Sequence, residues 1–591
     1  MSHVELMQAR RSVRPDRLPR SDGRLIARLD GMPNPRSETV PEIGGIHFRH
    51  PELARLAKDR YTPEDLQRIE FKLILAKTLD ITVDRKTSLD LNGKRHQLAL
   101  VHATEASEES TGTEMSPKNI WIRDQTLVAK AKMDMWETDR SRYQHEGELS
   151  KEILVSTLDI MSTPAQLDRF DSIIDGSKDK DNFHNWPYIF LETAHIDGKE
   201  PNNWRHIQDA WQMLAFSTFD AIEKGLLSVD ELEDHHKQFL AATVPFLESV
   251  NFVNQKNSGS WEELMSLRTS VLGVETGMLA KIRNTALEKN GTVKKGFEFL
   301  EEGYEKAQQA KVEPSPYNFG ETLNRMVHGG LNEIAKRLPE ETPRDLSDHD
   351  AEYRGADASL IYLLNFGIPK LLADKYSIKD AGRPLSKFEI EMMILEQINT
   401  LKGENGIRRY ANDSYQGENW HTKMIQSKIK AIKAEVKQQE SEHPDHPEEA
   451  LIVKFEKRHE AVGEEHPPEW TLFDPQISSY FGIEAYWSSD KAEKAAYEEL
   501  ATEHLNRTLS NITGPEEYHT QQTHGHYGIT QAPELRIPEC FNYYSYTKNG
   551  KKVNRAVASP HLPLNWSVAE THKALAINLS LAKYNAYALA S

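Results

Sequence analysis

The stretch "SGSWEELMSLRTSVLGVETGMLAKI", Ser258 to Ile282, carries Trp261, Leu264, Leu267, Val271, Val274, Met278 and Ile282 at intervals of three or four residues. That spacing puts the apolar side chains on one face and predicts a helix over 261–282. The same period recurs at 124–136, 208–227, 359–376, 387–401, 492–512 and 566–589. Many helices with few strands, from about residue 120 onward, predict a mainly α-helical domain. No solenoid-type repeat runs through it. Residues 1–45, rich in Arg, Pro and Gly, read as an arm. Residues 63–78 follow a Thr62-Pro63 start with helical spacing, and 81–101 alternates around Asn92-Gly93, a hairpin signal. The expected organisation is therefore a small mixed α/β region within 1–114 and a helical domain over 115–591. The charged run at about 423–467 reads as a helical insertion with a solvated face. Long aromatic-rich connections are expected at 183–206, 403–422 and 515–566, where binding residues tend to sit.

Composition narrows the function classes. The chain has 591 residues, 28% of them charged, and a net charge of −18. An acidic surface argues against nucleic acid or an anionic membrane as partner, because both need basic residues; a neutral sugar is not repelled. No segment approaches the ~20 apolar residues of a membrane span. Cys540 is the single cysteine, so no intrachain disulfide forms. With no signal-peptide pattern, the expected location is cytoplasmic; export without a cleaved leader stays open as an alternative.

Glu262 and Glu263 directly follow Trp261. Two readings compete for them. Carboxylates suit the first turn of a helix, and Ser260 is a suitable N-cap. A carboxyl against an aromatic wall also loses hydration, so its pKa rises and it can donate a proton near neutrality. Other blocks bear on the choice: "WIRDQTL" (121–127), "WRHIQDAWQML" (204–214), "GIRRYANDSYQG" (406–417), "IPECFNYY" (537–544) and "SPHLPLNWSVAETHKAL" (559–575). Arg123 offers donors and Asp124 acceptors, a match for neighbouring sugar hydroxyls as well as for an ordinary helix-start salt bridge. Trp121, Trp204, Trp261 and Trp566 offer flat faces for sugar rings or core packing. Two carboxyls such as Glu262 and Glu539, if they share a pocket, are what glycoside hydrolysis needs: one protonates the leaving oxygen and the other activates water.

In this order the blocks resemble glycoside hydrolase family 15, the glucoamylases and related α-glucosidases, and also the related phosphorylase kinase α and β regulatory subunits. "WIRD" is similar to W-x-R-D, "SWEEL" to W-E-E, "RRYANDSY" to R-Y-x-x-D-x-Y, "IPECF" to P-E-Q-[YF] and "LPLNWSVAE" to P-L-x-W-[SA]-x-A-E. The resemblance spans roughly 115–590. It implies an (α/α)6 barrel and an exo-acting, inverting α-glucosidase that releases glucose from the non-reducing ends of α-glucans or maltooligosaccharides. It implies Glu262 as general acid and Glu539 as base, with Arg123, Asp124, Arg409 and Glu263 binding the sugar and Trp261 and Trp566 packing on it. No cofactor and no metal are needed by that chemistry. The alternative it leaves is a non-hydrolytic, carbohydrate-sensing module like the kinase subunits. The chain departs from the pattern in three places. "HIQDA" at 206–210 is one residue shorter than H-x-Q-N-D-A, which shifts Trp204. Pro117 stands where many glucoamylases have Tyr. Cys540 replaces the Gln after the base. These departures bear on substrate preference.

Overall fold

The computed structural model describes residues 42–43, 45–104, 119–182, 185–199, 209–347, 349, 351–375, 379–380, 383–442, 447–462, 466–523, 526–548 and 551–590. Fourteen helices carry the architecture: α1 Pro63–Leu75, α2 Ile122–Thr138, α3 Gln144–Met161, α4 Asp209–Glu223, α5 Asp234–Val250, α6 Thr269–Ala286, α7 Phe319–Arg337, α8 Ile361–Asn365, α9 Lys387–Asn399, α10 Lys423–Glu442, α11 Pro447–Val462, α12 Phe473–Trp487, α13 Lys491–Ser510 and α14 Asn565–Ala590. Six of them close a ring: α2 packs on α4, α4 on α6, α6 on α8, α8 on α12, α12 on α14, and α14 back on α2. Each ring helix has an outer partner. These are α3 on α2, α5 on α4, α7 on α6, α9 on α8, α13 on α12, and α1 on α14. This is an (α/α)6 barrel. Inner helices touch protein on all sides, so α6 is buried continuously from Thr269 to Ala280 rather than on one stripe.

Two elements show how sequence enforces the ring. Gly273 and Gly277 of α6 face α8, where an added Cβ would lie 2.3 Å from Leu363 and 2.8 Å from Phe366. At Gly277 the neighbour includes the Phe366 backbone carbonyl, so glycine is needed there, whereas at Gly273 the Leu363 side chain would have to move. The region 359–376, which reads as one helical run, is interrupted after Asn365 because Gly367 turns the chain at φ 73°. The inner wall here is therefore a single short helix.

Helix α1 starts at an N-cap, Thr62, which forms a capping box with Asp65. Its Leu66, Ile69 and Leu73 share a core with Leu505 and Leu509 of α13 and Leu575 and Leu579 of α14. The predicted hairpin forms as β1 Ser88–Leu91 and β2 Lys94–Gln97, turning through Asn92 (φ 51°) and Gly93 (φ 77°).

Segment 515–566 is not simply a long connection. With β3 Asn119–Trp121 and β4 Phe190–Glu192 forming a separate pair, a five-stranded sheet joins β5 Glu469–Trp470, β6 Tyr518–Thr523, β7 His526–Gln531, β8 Cys540–Lys548 and β9 Lys551–Ala558 in the order β5-β8-β9-β6-β7. β8 and β9 pair antiparallel from Phe541↔Ala558 to Lys548↔Lys551. The sequence between them is Asn549-Gly550, the same hairpin signal read at Asn92-Gly93. Residue pairing fixes β8 against β5, with Trp470 opposite Cys540, and β5 leads into α12. Among the described residues no helix is long and apolar enough to cross a membrane.

Candidate active site

Several of the candidate side chains gather where the inner helices begin. Arg123 and Asp124 lie in the first turn of α2, and Asp209 is the first residue of α4. Trp261, Glu262 and Glu263 precede α6, Asp357 precedes α8, and Trp566 lies in the first turn of α14. Helix N-termini present unpaired amides and a partial positive charge, so this end of the barrel favours anionic side chains.

The helix predicted over 261–282 begins only at Thr269. Residues 257–266 instead form a closed loop, pinned by reciprocal backbone hydrogen bonds of 3.0 Å between Asn257 and Ser266. Glu262 takes a left-handed conformation, φ 57°, and Gly259 lies at φ 65°. For a residue with a side chain this backbone is unfavourable and is held by its surroundings. Ser260 is accordingly not a helix cap. Its hydroxyl donates to Asp209 Oδ2 at 2.6 Å, and its carbonyl accepts from Arg123 Nη1 at 3.0 Å.

This loop turns the two adjacent glutamates into opposite environments. Glu262 meets one cation, Arg123, whose Nη2 donates to Oε1 at 2.8 Å. Burial pushes the Glu262 carboxyl up to about 7; Arg123 opposes this, while Asp124 and Asp209 add to it. Arg123 itself is pulled down by burial, but Glu262 and Asp209 outweigh that and keep it charged. Glu263 meets four donors. Oε1 accepts from Arg409 Nη2 at 3.2 Å and from Arg458 Nη2, and Oε2 from Arg354 Nη2 at 3.1 Å and Tyr410 Oη at 2.6 Å. Burial would raise its pKa, but Arg458, Arg409 and Arg354 win and hold it ionised, well below the usual range. Arg409 also grips Asp413 bidentately, both contacts at 2.6 Å, and Arg354 lies over the Tyr410 ring at 3.3 Å.

Glu539 stands immediately before β8. Its backbone N–H donates to the His561 carbonyl at 3.0 Å, and its carbonyl accepts from Thr471 N at 3.2 Å. Gln416 Nε2 donates to Oε2 at 2.9 Å, and His561 Nε2 lies 3.6 Å from the same oxygen. Asp124 links the two halves. Burial raises its carboxyl to about 6; Arg123 opposes this and the Glu539 charge reinforces it. Asp124 thus interacts electrostatically with both Glu539 and Glu262.

The aromatic residues divide. Trp261 is partly exposed; its Nε1–H donates to Asp357 Oδ1 at 2.8 Å and its ring meets Phe473 edge-on at 5.7 Å. Trp566 is buried to 5% exposure, with Nε1 unpaired. Trp121 packs 4.4 Å from Phe190. Trp204 and Pro117 lie outside the described residues.

Several participants carry no strong sequence signal. Asp209 sits inside the block at 204–214 without being assigned a role there. Gln416 and His561 likewise sit inside the blocks at 406–417 and 559–575 without an assigned role, and Asp357 and Arg354 lie outside every block. Arg458 belongs to α11, in the charged run read as solvated, yet it is only 9% exposed, with Nε donating to Ser414 Oγ at 2.8 Å. Its hairpin partner α10 supplies Ile425, Ile429, Ile432 and Val436 to a small apolar core, which brings α11 inward.

Cys540 lies behind Glu539 with no exposed surface, its Sγ 3.5 Å from Gln416 Oε1. Burial drives the thiol pKa up, so no thiolate forms near neutrality. We expect an aromatic disulfide reagent to leave the native chain unlabelled and to titrate one thiol after denaturation. Rapid labelling of the native chain would contradict this burial.

No protein-family model matches the chain, and no curated protein matches it. Three similar solved structures are glucoamylases. One, from Saccharomycopsis fibuligera, shares 12% identity over 89% of this chain and 98% of that chain, with a TM-score of 0.48. The family 15 glucoamylase from Hypocrea jecorina shares 14% over 88% and 72%, TM-score 0.43. A bacterial glucoamylase complexed with acarbose shares 14% over 78% and 49%, TM-score 0.37. The barrel itself is read from the closed ring of helices described above.

Proposed function

We propose that this protein is an exo-acting, inverting α-glucosidase that releases glucose from the non-reducing ends of α-glucans or maltooligosaccharides. The observation that carries the reading is the buried Glu262 carboxyl, tied to Arg123 at 2.8 Å next to Asp124, whose own carboxyl feels the Glu539 charge; burial pushes Glu262 up to about 7. A carboxyl with that pKa stays about half or more protonated below neutrality and can serve as general acid. Glu262 gives its proton to the glycosidic oxygen as the C1–O bond breaks and the electron pair leaves with that oxygen. Glu539 takes a proton from a water whose oxygen bonds to C1 from the opposite face. Oε2 of Glu539 is engaged by Gln416, which leaves Oε1 for the water. Arg123, Asp124 and Arg409 orient the terminal glucose, with Trp261 and Trp566 as its apolar walls. Glu263 acts on the sugar through the guanidiniums it holds in place. One cysteine in 591 residues supports a reducing compartment as the place of action.

The test is incubation of the purified chain with maltotriose. Release of glucose and maltose is expected. Binding of maltotriose without hydrolysis would replace the enzyme by a carbohydrate-sensing module, and neither binding nor hydrolysis would remove both readings.

A further inference from the structure

Away from the inner-helix N-termini, the outer wall of the barrel gathers three histidines on one carboxylate. Asp159 is near the end of α3, His235 and His236 are in the first turn of α5, and His96 is on β2. His96 Nδ1 lies 3.3 Å from Asp159 Oδ1, and His235 Nε2 lies 3.0 Å from the same oxygen. Donor atoms of His96, Asp159 and His235 all fall within 4.8 Å of one another. All three side chains are more than nine-tenths buried, at 8%, 4% and 6% exposure. Tetrahedral zinc with bonds of about 2.0–2.1 Å places its ligand atoms roughly 3.3 Å apart.

The orientation of the surrounding rings determines which atoms face the shared oxygen. His96 turns Nδ1 toward Asp159, while its Nε2, on the far side of the ring, is enclosed with Glu233 Oε2 at 4.0 Å. His236 is already committed. Its Nδ1 accepts from the Glu233 backbone N–H at 3.2 Å, so in the neutral ring the proton sits on Nε2 and is donated to Asp159 Oδ1 at 2.8 Å. That leaves His236 as the residue orienting the carboxylate, a usual partner of a metal ligand. Glu233 Oε2 lies 3.9 Å from His235 Nδ1, the ring nitrogen that faces away from Asp159, and so stands outside the ligand set beside both imidazoles.

We propose that His96, Asp159 and His235 bind one divalent transition-metal ion of the zinc class through His96 Nδ1, Asp159 Oδ1 and His235 Nε2, completed by water, and that the ion clips the β1–β2 hairpin to outer helices α3 and α5. Two imidazoles and a carboxylate suit zinc rather than calcium or magnesium. The site shares no residue with the proposed catalytic set, so its role is structural.

The full chain, stripped with a chelator and dialysed, is titrated calorimetrically with zinc sulfate. One ion per chain is expected, with a rise in Tm of about 2 °C at a hundredfold excess over Kd. His96→Ala and His235→Ala lose both effects, while a control at exposed His328→Ala keeps them. Cobalt(II) added to the stripped wild-type chain gives visible bands of a tetrahedral ion, displaced by zinc; this readout needs no variant to fold. Wild-type chain that takes up no zinc, uptake unchanged in both histidine variants, or cobalt bound only as the octahedral aquo-type ion overturns the proposal.

Discussion

Glu262→Gln lowers maltotriose hydrolysis by roughly 10²–10⁴-fold and leaves hydrolysis of α-glucosyl fluoride much less affected. A sugar alkoxide needs a proton to leave, whereas fluoride departs with little help. The amide keeps an oxygen to accept from Arg123, so the loop at 257–266 retains its tie. The wild-type kcat/KM falls as pH rises through about 7, where burial places the Glu262 carboxyl, and this limb is absent in the variant. Asp124, raised to about 6, contributes to the same limb, so the two titrate as a set rather than singly. Stability supplies an independent reading. The folded-state pKa of Glu262 lies above its ordinary 4.5. Its contribution is thus fully present below that value and is lost as pH rises through about 7. Ionised Glu262 then costs up to about 3 kcal/mol, discounted for the partial exposure of the group. In denaturant titrations at pH 8, Glu262→Gln should be at least as stable as wild type, although it is far less active. A variant with unchanged maltotriose turnover would return Glu262 to a purely structural role.

The helical period was legible wherever a helix stays intact, because apolar spacing is local. It misplaced the start of α6 because Trp261 and Leu264 keep that spacing while Glu262 is held at φ 57° by groups 51 to 139 residues away. No local pattern encodes such a constraint. The break after Asn365 was signalled by Gly367, but the need for α8 to pass so near α6 appears only when Gly273 and Gly277 meet Leu363 and Phe366. The sheet over 515–566 was more nearly visible, since Asn549-Gly550 lies between two alternating runs. Around the candidate site, motif resemblance is what proposes the carboxylates, whereas the charge compensation around them stayed hidden. Arg458 reaches Glu263 across 195 residues from a run whose composition reads as solvent-facing. The adjacent pair Glu262-Glu263 is symmetrical in sequence and is differentiated only by this assembly: one arginine against three.

Glu539→Gln should disable both substrates by a similar factor, roughly 10²–10⁴-fold, because the attacking water lacks its base whichever group leaves. The fold should survive. Gln416 Nε2 can still donate to the side-chain oxygen at 539, and the backbone bonds to His561 and Thr471 do not involve the carboxyl. This outcome separates the base from the acid: loss confined to maltotriose marks a proton donor, and loss on both substrates marks the residue that activates water. The stereochemistry of the product adds the second constraint. Water delivered by Glu539 from the face opposite the leaving oxygen yields β-glucose first, visible by proton NMR before mutarotation. Early α-glucose would require a carboxylate attacking C1 and a covalent intermediate, and Glu539 would then be assigned as nucleophile rather than base. Glucosyl fluoride hydrolysis retained in Glu539→Gln would remove the residue from the reaction altogether and leave its contacts with Gln416 and His561 as packing at the edge of the sheet.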